Sequence, residues 1–437
     1  MANAAPAAGV ARDTTLQPVA VAPRRWEDYR GIAPDDILED AAEQGRAVRG
    51  ARILHVNATA YGGGVAELLA SEIGLLCDLG IQAEWRVICP DAAFFKVTKQ
   101  IHNAMQGTAA GLTNTDHAVY LERNAHCAAM LGNEWDVVVV HDPQPAALRV
   151  DDPAPNAHWI WRCHIDTSTP DLDVWAFLRP VVAAYDAYVF TLAAFAPAEL
   201  AGDRLAAIAP AIDPLSTKNR SLPRFLARST VAATGIDLAR PLVVQVSRFD
   251  PWKDPLGVVE AWRLAREQVP GLQLALVGAM ADDDPEGWQV YELAREATAS
   301  EPDCHLLTNQ TGIGSLEVNA FQREADVAVQ KSLREGFGLT VSEALWKETP
   351  VVGGNAGGIP LQIGANEAGL LVDTVEECAA AIVALLEDEV LAEQKGRAGR
   401  ERVRREFLTP RLARDDLALY ARLLNGGDRP RGAGERD

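Results

Sequence analysis

The sequence predicts an α/β protein built from two doubly wound parallel sheets. Three observations carry that expectation. Short apolar runs alternate with helix-length amphipathic segments along most of the chain, which is the signature of successive βαβ units. The alternation lapses over an irregular stretch from 213 to 240, punctuated by Pro214 and Pro223 and closed by Pro241, and then begins afresh. Glycine-rich turns and polar residues stand where several apolar runs stop, at the carboxyl edge where open α/β sheets bind ligands.

The elements follow in order. Residues 1–24 are alanine- and proline-rich, without helical or strand period, and read as a disordered tail. Trp26 to Gly50 reads as a lead-in that docks on the first domain, with Pro34 in the first turn of a helix. Arg52 to Asn57 is a buried strand, Ala60 to Gly64 a loop, and Val65 to Leu79 a helix with apolar residues at 65, 68, 69, 73, 75 and 76. Gly62, Gly63 and Gly64, between strand and helix, form a loop suited to an anion or other ligand. Glu84 to Ile88 is the next strand. Phe94 to Lys99 opens a region of weaker pattern, and 107–131 reads as helical, capped at Thr113 or Thr115. Strands at Trp135 to Val140, Trp159 to Cys163, Tyr185 to Leu192 and Leu205 to Ile212 complete a first domain over 25–225.

Two of those strands end in polar residues: His141 and Asp142 after one, His164 and Asp166 after the other. A lone histidine in such a place is ordinarily a structural hydrogen-bonder. Four polar residues at equivalent strand ends point to a binding crevice. Their spacing matches no metal-ligand motif, so no metal site is assigned.

The second domain, 240–408, opens with the strand Pro241 to Val246. It ends in a loop that carries Arg248 and Lys253. An arginine fork and a lysine point charge five residues apart suit a diphosphate. Helices at 255–268, 286–298 and 314–324 alternate with strands at 272–278 and 304–308. Asp282 to Asp284, just before a helix start, reads as a cap and not as a metal site. Ala325 to Gln330 is a buried strand, and the stretch that follows organises the whole chain: Arg334-Glu335-Gly336-Phe337-Gly338-Leu339-Thr340-Val341-Ser342-Glu343-Ala344. Two carboxylates, Glu335 and Glu343, lie eight residues apart across a Gly-x-Gly turn that leads into a helix. Gly336 and Gly338 let backbone N–H groups approach a ligand, and the helix start offers free N–H groups and a positive dipole end to a phosphate. Acceptor-only carboxylates on either side suit the hydroxyls of a hexose and of a ribose. Pro350 to Gly354 is a strand, Ala356 to Pro360 another glycine-rich turn, and 374–425 is helical.

Composition narrows the partners. Lys and Arg number 41 against 61 Asp and Glu, a net charge of −20, which argues against nucleic-acid and anionic membrane surfaces. It leaves room for an anionic substrate in a local basic pocket. The six cysteines form no C-x-x-C pair and read as reduced thiols of a cytoplasmic protein. No apolar run reaches the ~18 residues of a membrane span.

The Glu335–Glu343 stretch resembles the E-x7-E signature of retaining glycosyltransferases of GT-B architecture, two Rossmann-like domains facing each other. The Arg248–Lys253 loop resembles their R-x4-K diphosphate clamp. The resemblance narrows further to trehalose glycosyltransferring synthases. It is carried by His55-Val56-Asn57-Ala58-Thr59 with Gly62 to Glu67, by His141 to Ala147, by Trp161 to Asp166, by Gln245 to Lys253 and by Asp283 to Trp288. It spans about residues 25–425.

The resemblance implies a last helix, 409–425, that crosses back to the first domain. It implies reversible, configuration-retaining transfer of glucose from a nucleoside-diphosphate glucose, ADP- or UDP-linked, to free glucose, giving α,α-trehalose. Catalytic positions would be Arg248, Lys253, Glu335, His164 and Asp142. Donor contacts would be Gly63, Gly64, Arg248, Lys253, Glu335, Gly336, Phe337, Gly338, Leu339 and Glu343; acceptor contacts would be Gly62, Asp142, His164 and Asp166. No cofactor is obligatory, magnesium enters at most as an activator, and a homodimer is admitted. Two alternatives stay open: a retaining trehalose phosphorylase, and a non-catalytic sugar-nucleotide binding protein.

Overall fold

The computed structural model describes residues 16–61, 63–88, 92–280 and 285–426. The first sheet contains β1 (Leu16–Pro18), β2 (Arg52–Asn57), β3 (Gln82–Ile88), β4 (Val137–His141), β5 (His158–Cys163), β6 (Ala187–Phe190) and β7 (Leu205–Ala207). Their order is β1-β3-β2-β4-β5-β6-β7, parallel throughout except for β1 against β3. The helices of this half are α1 (Asp35–Ala47), α2 (Gly64–Asp78), α3 (Ala92–Met105), α4 (Asn114–Ala128) and α5 (Leu172–Ala183). After α6 (Arg224–Ala232) comes the second sheet, with β8 (Leu242–Val246), β9 (Gln273–Gly278), β10 (Cys304–Thr308), β11 (Val327–Gln330), β12 (Val351–Gly354) and β13 (Gly369–Val372) in the parallel order β10-β9-β8-β11-β12-β13. Its helices are α7 (Pro255–Arg266), α8 (Pro285–Ala297), α9 (Ser315–Glu324), α10 (Leu339–Trp346), α11 (Ile359–Ile363), α12 (Val375–Glu387) and α13 (Glu389–Glu406). The last helix, α14 (Thr409–Asn425), follows.

Burial explains why the strands read as unbroken apolar runs. In β4, Val138 and Val140 enter one core cluster, and Val137 and Val139 enter the cluster on the opposite face. In β8, Val243 and its neighbours Leu242 and Val244 divide between two clusters in the same way. Side chains alternate across a strand, so a sheet covered on both faces needs an apolar residue at every position.

The chain crosses between domains twice, and the two crossings pair with each other. Ile212 and Leu408 form an isolated parallel bridge, with Ile212 N donating to Phe407 O at 2.9 Å and Thr409 N to Ile212 O at 3.0 Å. Beyond this point α14 returns to the first domain, where Leu412, Ala413, Leu417 and Tyr420 pack with Val137 and Val139 of β4.

Three expectations are corrected, and one stretch of weak pattern is assigned. The tail reading of 16–24 fails: β1 adds to the sheet edge at β3, and Arg24 Nε donates to Asp213 Oδ2 at 3.0 Å. The lead-in does not dock on the first domain alone: α1 packs on α14, while Tyr29, Ala33 and Leu38 enter a core cluster of the second domain. The irregular stretch 213–240 contains α6, which packs on α9 through Ala227 and Val231. The weak region at Phe94 to Lys99 lies within α3, whose buried face includes Phe94, Val97 and Ile101. Thr113 is the cap of α4, in a reciprocal capping box with Asp116. No helix among the described residues is long and apolar enough to cross a membrane.

Candidate active site

The predicted diphosphate loop and the glutamate stretch converge. β8 and β11 are neighbours in the second sheet, so the loops at their carboxyl ends meet. Lys253 Nζ lies 2.6 Å from Glu335 Oε2, and Ser332 Oγ donates to the same oxygen at 3.1 Å. Both members of the ion pair are largely buried, with side chains 16% and 9% exposed. Arg248 is more open. It contacts Asp250 Oδ2 at 3.3 Å, and its side chain is 58% exposed.

The Gly-x-Gly turn serves two geometric ends. Gly338 holds φ +82° as the residue before α10, a conformation L side chains rarely adopt. Gly336 faces the first domain: a Cβ placed there would stand 2.4 Å from His164 O. Gly64, at the start of α2, faces back, with a virtual Cβ 3.0 Å from Leu339 Cδ1. Gly63 precedes α2 with open space around its Cα. Gly62 lies outside the described residues, as does the Asp282–Asp284 run. Phe337, expected among the donor contacts, turns its ring away and packs with Phe407 in a core cluster, centroids 5.4 Å apart. Its carbonyl accepts from Gln362 Nε2, and no side-chain atom of Phe337 is offered to a ligand.

Glu343 is buried. Its carboxylate lies 3.5 Å from Lys218 Nζ and accepts from Gln322 Nε2 at 3.3 Å. Lys218 also donates to both oxygens of Glu67, at 2.7 and 2.8 Å. Glu67 is in the first turn of α2, so one linker lysine ties a first-domain carboxylate to a second-domain one. Burial, first, and the Glu343 charge hold the Glu67 carboxyl above the usual range, against the pull of Lys218.

On the first domain, Asp142 follows β4 with φ +64°, a conformation that aspartate tolerates better than most residues. Its Oδ1 accepts from His164 N at 2.8 Å, and its carbonyl accepts from Trp161 Nε1 at 3.1 Å. Burial pushes its pKa up to about 7, against the pull of the His164 amide and Arg162. His164 follows β5, half-buried, and burial holds its imidazole well below the ordinary range. Asp166 turns back on its own loop, accepting from Ser168 N at 3.0 Å. His102 of α3 also belongs here. Burial brings it down to about 4, with the Arg248 charge adding to the effect.

Sequence reading brought together Arg248, Lys253, Glu335 and Glu343 on one side and Asp142 and His164 on the other. It missed Lys218, Glu67, His102 and Ser332. Lys218 lies in a stretch without any period, and only its tertiary partners distinguish it.

Known proteins match along the chain. Residues 55–197 match the family described as trehalose synthase, N-terminal domain, and residues 228–402 the family described as glycosyl transferases group 1. A trehalose synthase of Rubrobacter xylanophilus is 50% identical over 414 residues, covering 94% of this chain and 99% of that protein. A trehalose phosphorylase of Pleurotus pulmonarius is 30% identical over 366 residues, covering 72% of this chain and 49% of that protein. The UDP-forming α,α-trehalose-phosphate synthase of Burkholderia xenovorans, solved with glucose-6-phosphate, superposes with a TM-score of 0.66 at 16% identity. That match covers 85% of this chain and 100% of the other, and establishes a shared fold. The chain belongs to the trehalose synthase family of GT-B glycosyltransferases.

Proposed function

We propose that the protein transfers glucose from a nucleoside-diphosphate glucose to the anomeric hydroxyl of free glucose, reversibly and with retention, forming α,α-trehalose. The observation that carries this reading is the Lys253–Glu335 pair at 2.6 Å with Arg248 in the same loop, set against the first domain where Gly336 meets His164. Cations beside a carboxylate suit a sugar diphosphate: Arg248 and Lys253 take the phosphates, and Glu335 takes hexose hydroxyls. In the transfer, the C1–O bond to the diphosphate breaks and its electron pair leaves with the phosphate oxygen. The acceptor hydroxyl attacks C1 on the same face and its proton passes to that oxygen. No enzyme nucleophile is then required. Charge develops on the leaving oxygen, where the clamp and the start of α10 stabilise it.

Asp142 and His164 line the sugars, and Glu343 takes the ribose. The reading also places the reaction in the cytoplasm, with magnesium as an activator at most. In a phosphorylase, phosphate would replace the nucleotide and Glu343 would have no ribose to hold. Incubation with glucose and each nucleoside-diphosphate glucose in turn, followed by product analysis, tests the proposal. Trehalose from at least one donor is expected. Trehalose cleavage by inorganic phosphate, with every nucleotide donor inert, would move the assignment to a phosphorylase.

A further inference from the structure

A row of imidazoles runs from the carboxyl edge of the first sheet into the first domain. His164 Nε2 lies 2.9 Å from His141 Nδ1, and His141 Nε2 lies 3.1 Å from His55 Nδ1. His55 Nε2 in turn lies 3.4 Å from the Tyr420 hydroxyl of α14. The rings stack in sequence, with centroids 5.2 and 5.3 Å apart, and Tyr420 meets His55 edge-on. His55 and His141 are buried, as is Tyr420. Strand register generates the row. His55 pairs with Val139 on the neighbouring strand, and His141 stands two residues further along. His141 pairs with Arg162, and His164 stands two residues further again. Each step therefore moves one strand across and two residues toward the carboxyl edge, and steps of two keep side chains on one face.

We propose that His55, His141 and Tyr420 are positioning residues that hold His164 in one tautomer, with Nδ1–H directed at a sugar hydroxyl oxygen. The proposal rests on the reading of His164 as a sugar contact.

The direction of the row follows from donor accounting. A neutral imidazole has one donor and one acceptor nitrogen, so fixing one hydrogen bond of the row fixes all of them. Among the described residues, the Tyr420 hydroxyl has no hydrogen-bond partner other than His55 Nε2. Its proton therefore goes to His55 Nε2, since the opposite polarity would strand a buried O–H donor. His55 must then donate from Nδ1 to His141 Nε2, and His141 from Nδ1 to His164 Nε2. His164 is left with its proton on Nδ1, outside the row. All three rings take the tautomer that free histidine disfavours. The end of the row lies on α14, so the tautomer at the sugar site depends on the returning helix being docked.

Nitrogen NMR of the full-length protein labelled with ¹⁵N-histidine tests this, because the shifts of Nδ1 and Nε2 report which nitrogen is protonated. Wild-type His164 is expected to carry its proton on Nδ1. Tyr420→Phe, which removes one buried hydroxyl, is expected to shift His164 toward the Nε2–H form. It should also lower kcat on the order of tenfold with the KM for nucleotide sugar unchanged. An Nε2-protonated His164 in the wild type, or a His164 signal unmoved by Tyr420→Phe, would overturn the proposal. His164→Ala examines the underlying reading separately. An unchanged kcat there removes the sugar contact, and with it the function of the row, whatever the tautomer.

Discussion

Lys253 Nζ and Glu335 Oε2 are 2.6 Å apart in space and 82 residues apart in sequence. In the proposed reaction this pair would join a diphosphate clamp to a sugar-binding carboxylate, so a change in either residue should disturb both. Lys253→Ala is expected to lower kcat by about a hundredfold or more, equivalent to roughly 3 kcal/mol of leaving-group stabilisation. Arg248→Ala should act in the same direction without freeing Glu335. Near-wild-type turnover in both variants would remove the clamp assignment.

Glu343→Ala should weaken nucleotide binding more than it slows chemistry, because a ribose contact is made about equally in ground and transition states. A charged hydrogen bond contributes about 2 kcal/mol, roughly thirtyfold in affinity. Calorimetry with free nucleoside diphosphate measures it. Lys218→Met is the companion variant, since it leaves Glu343 in place without its ion pair. Unchanged affinity in Glu343→Ala would favour the phosphorylase reading.

Gly336→Ala places a methyl where His164 O approaches to 2.4 Å, so the two domains must part locally. A misplacement of about 1 Å can cost about a hundredfold in rate. The expected result is a loss of that order in kcat. Small-angle scattering with nucleoside diphosphate and trehalose bound should also show a larger radius of gyration than for the wild type. Wild-type kinetics would mean that the contact is not kept during turnover.

Arg162 Nη1 and Asp416 Oδ2 form a buried salt bridge at 2.6 Å, both side chains at most 2% exposed, between β5 and α14. Removing one partner strands the other charge, which costs ~3–5 kcal/mol. Asp416→Ala should lower the apparent Tm by about 3–6 °C. The double variant Arg162→Met/Asp416→Leu should recover most of that loss, because it removes both charges. No recovery would mean that the pair holds α14 by more than charge balance.

Asp142 is expected to set a pH dependence. Its folded pKa, about 7, lies above the ordinary aspartate value of 3.8, so its contribution to stability is complete in acid and is lost as pH rises through that window. Asp142→Asn tolerates the same positive φ and carries no charge. Melting curves of variant and wild type should agree near the acid end of the window and diverge toward its upper end, with the variant the more stable. A constant difference across the window would show that Asp142 does not titrate within it.

Much of this site was legible in the sequence, because its parts are local. Arg248 and Lys253 share one loop, Glu335 and Glu343 bracket one turn, and Asp142 and His164 end valine- and tryptophan-rich strands whose period is plain. Local chemistry also determined the doubly wound class and narrowed the cap of α4 to Thr113 or Thr115, between which the structure chose Thr113. Tertiary structure alone decided the rest. A three-residue strand such as β1 carries no period and exists through its pairing with β3. Lys218 has a role only because the chain crossing brings Glu67 and Glu343 to it from two domains. His55 reads as one more buried strand residue until register aligns it with His141 and His164. Pattern within a segment reports which face is buried, and it carries no information on which distant side chain shares that face.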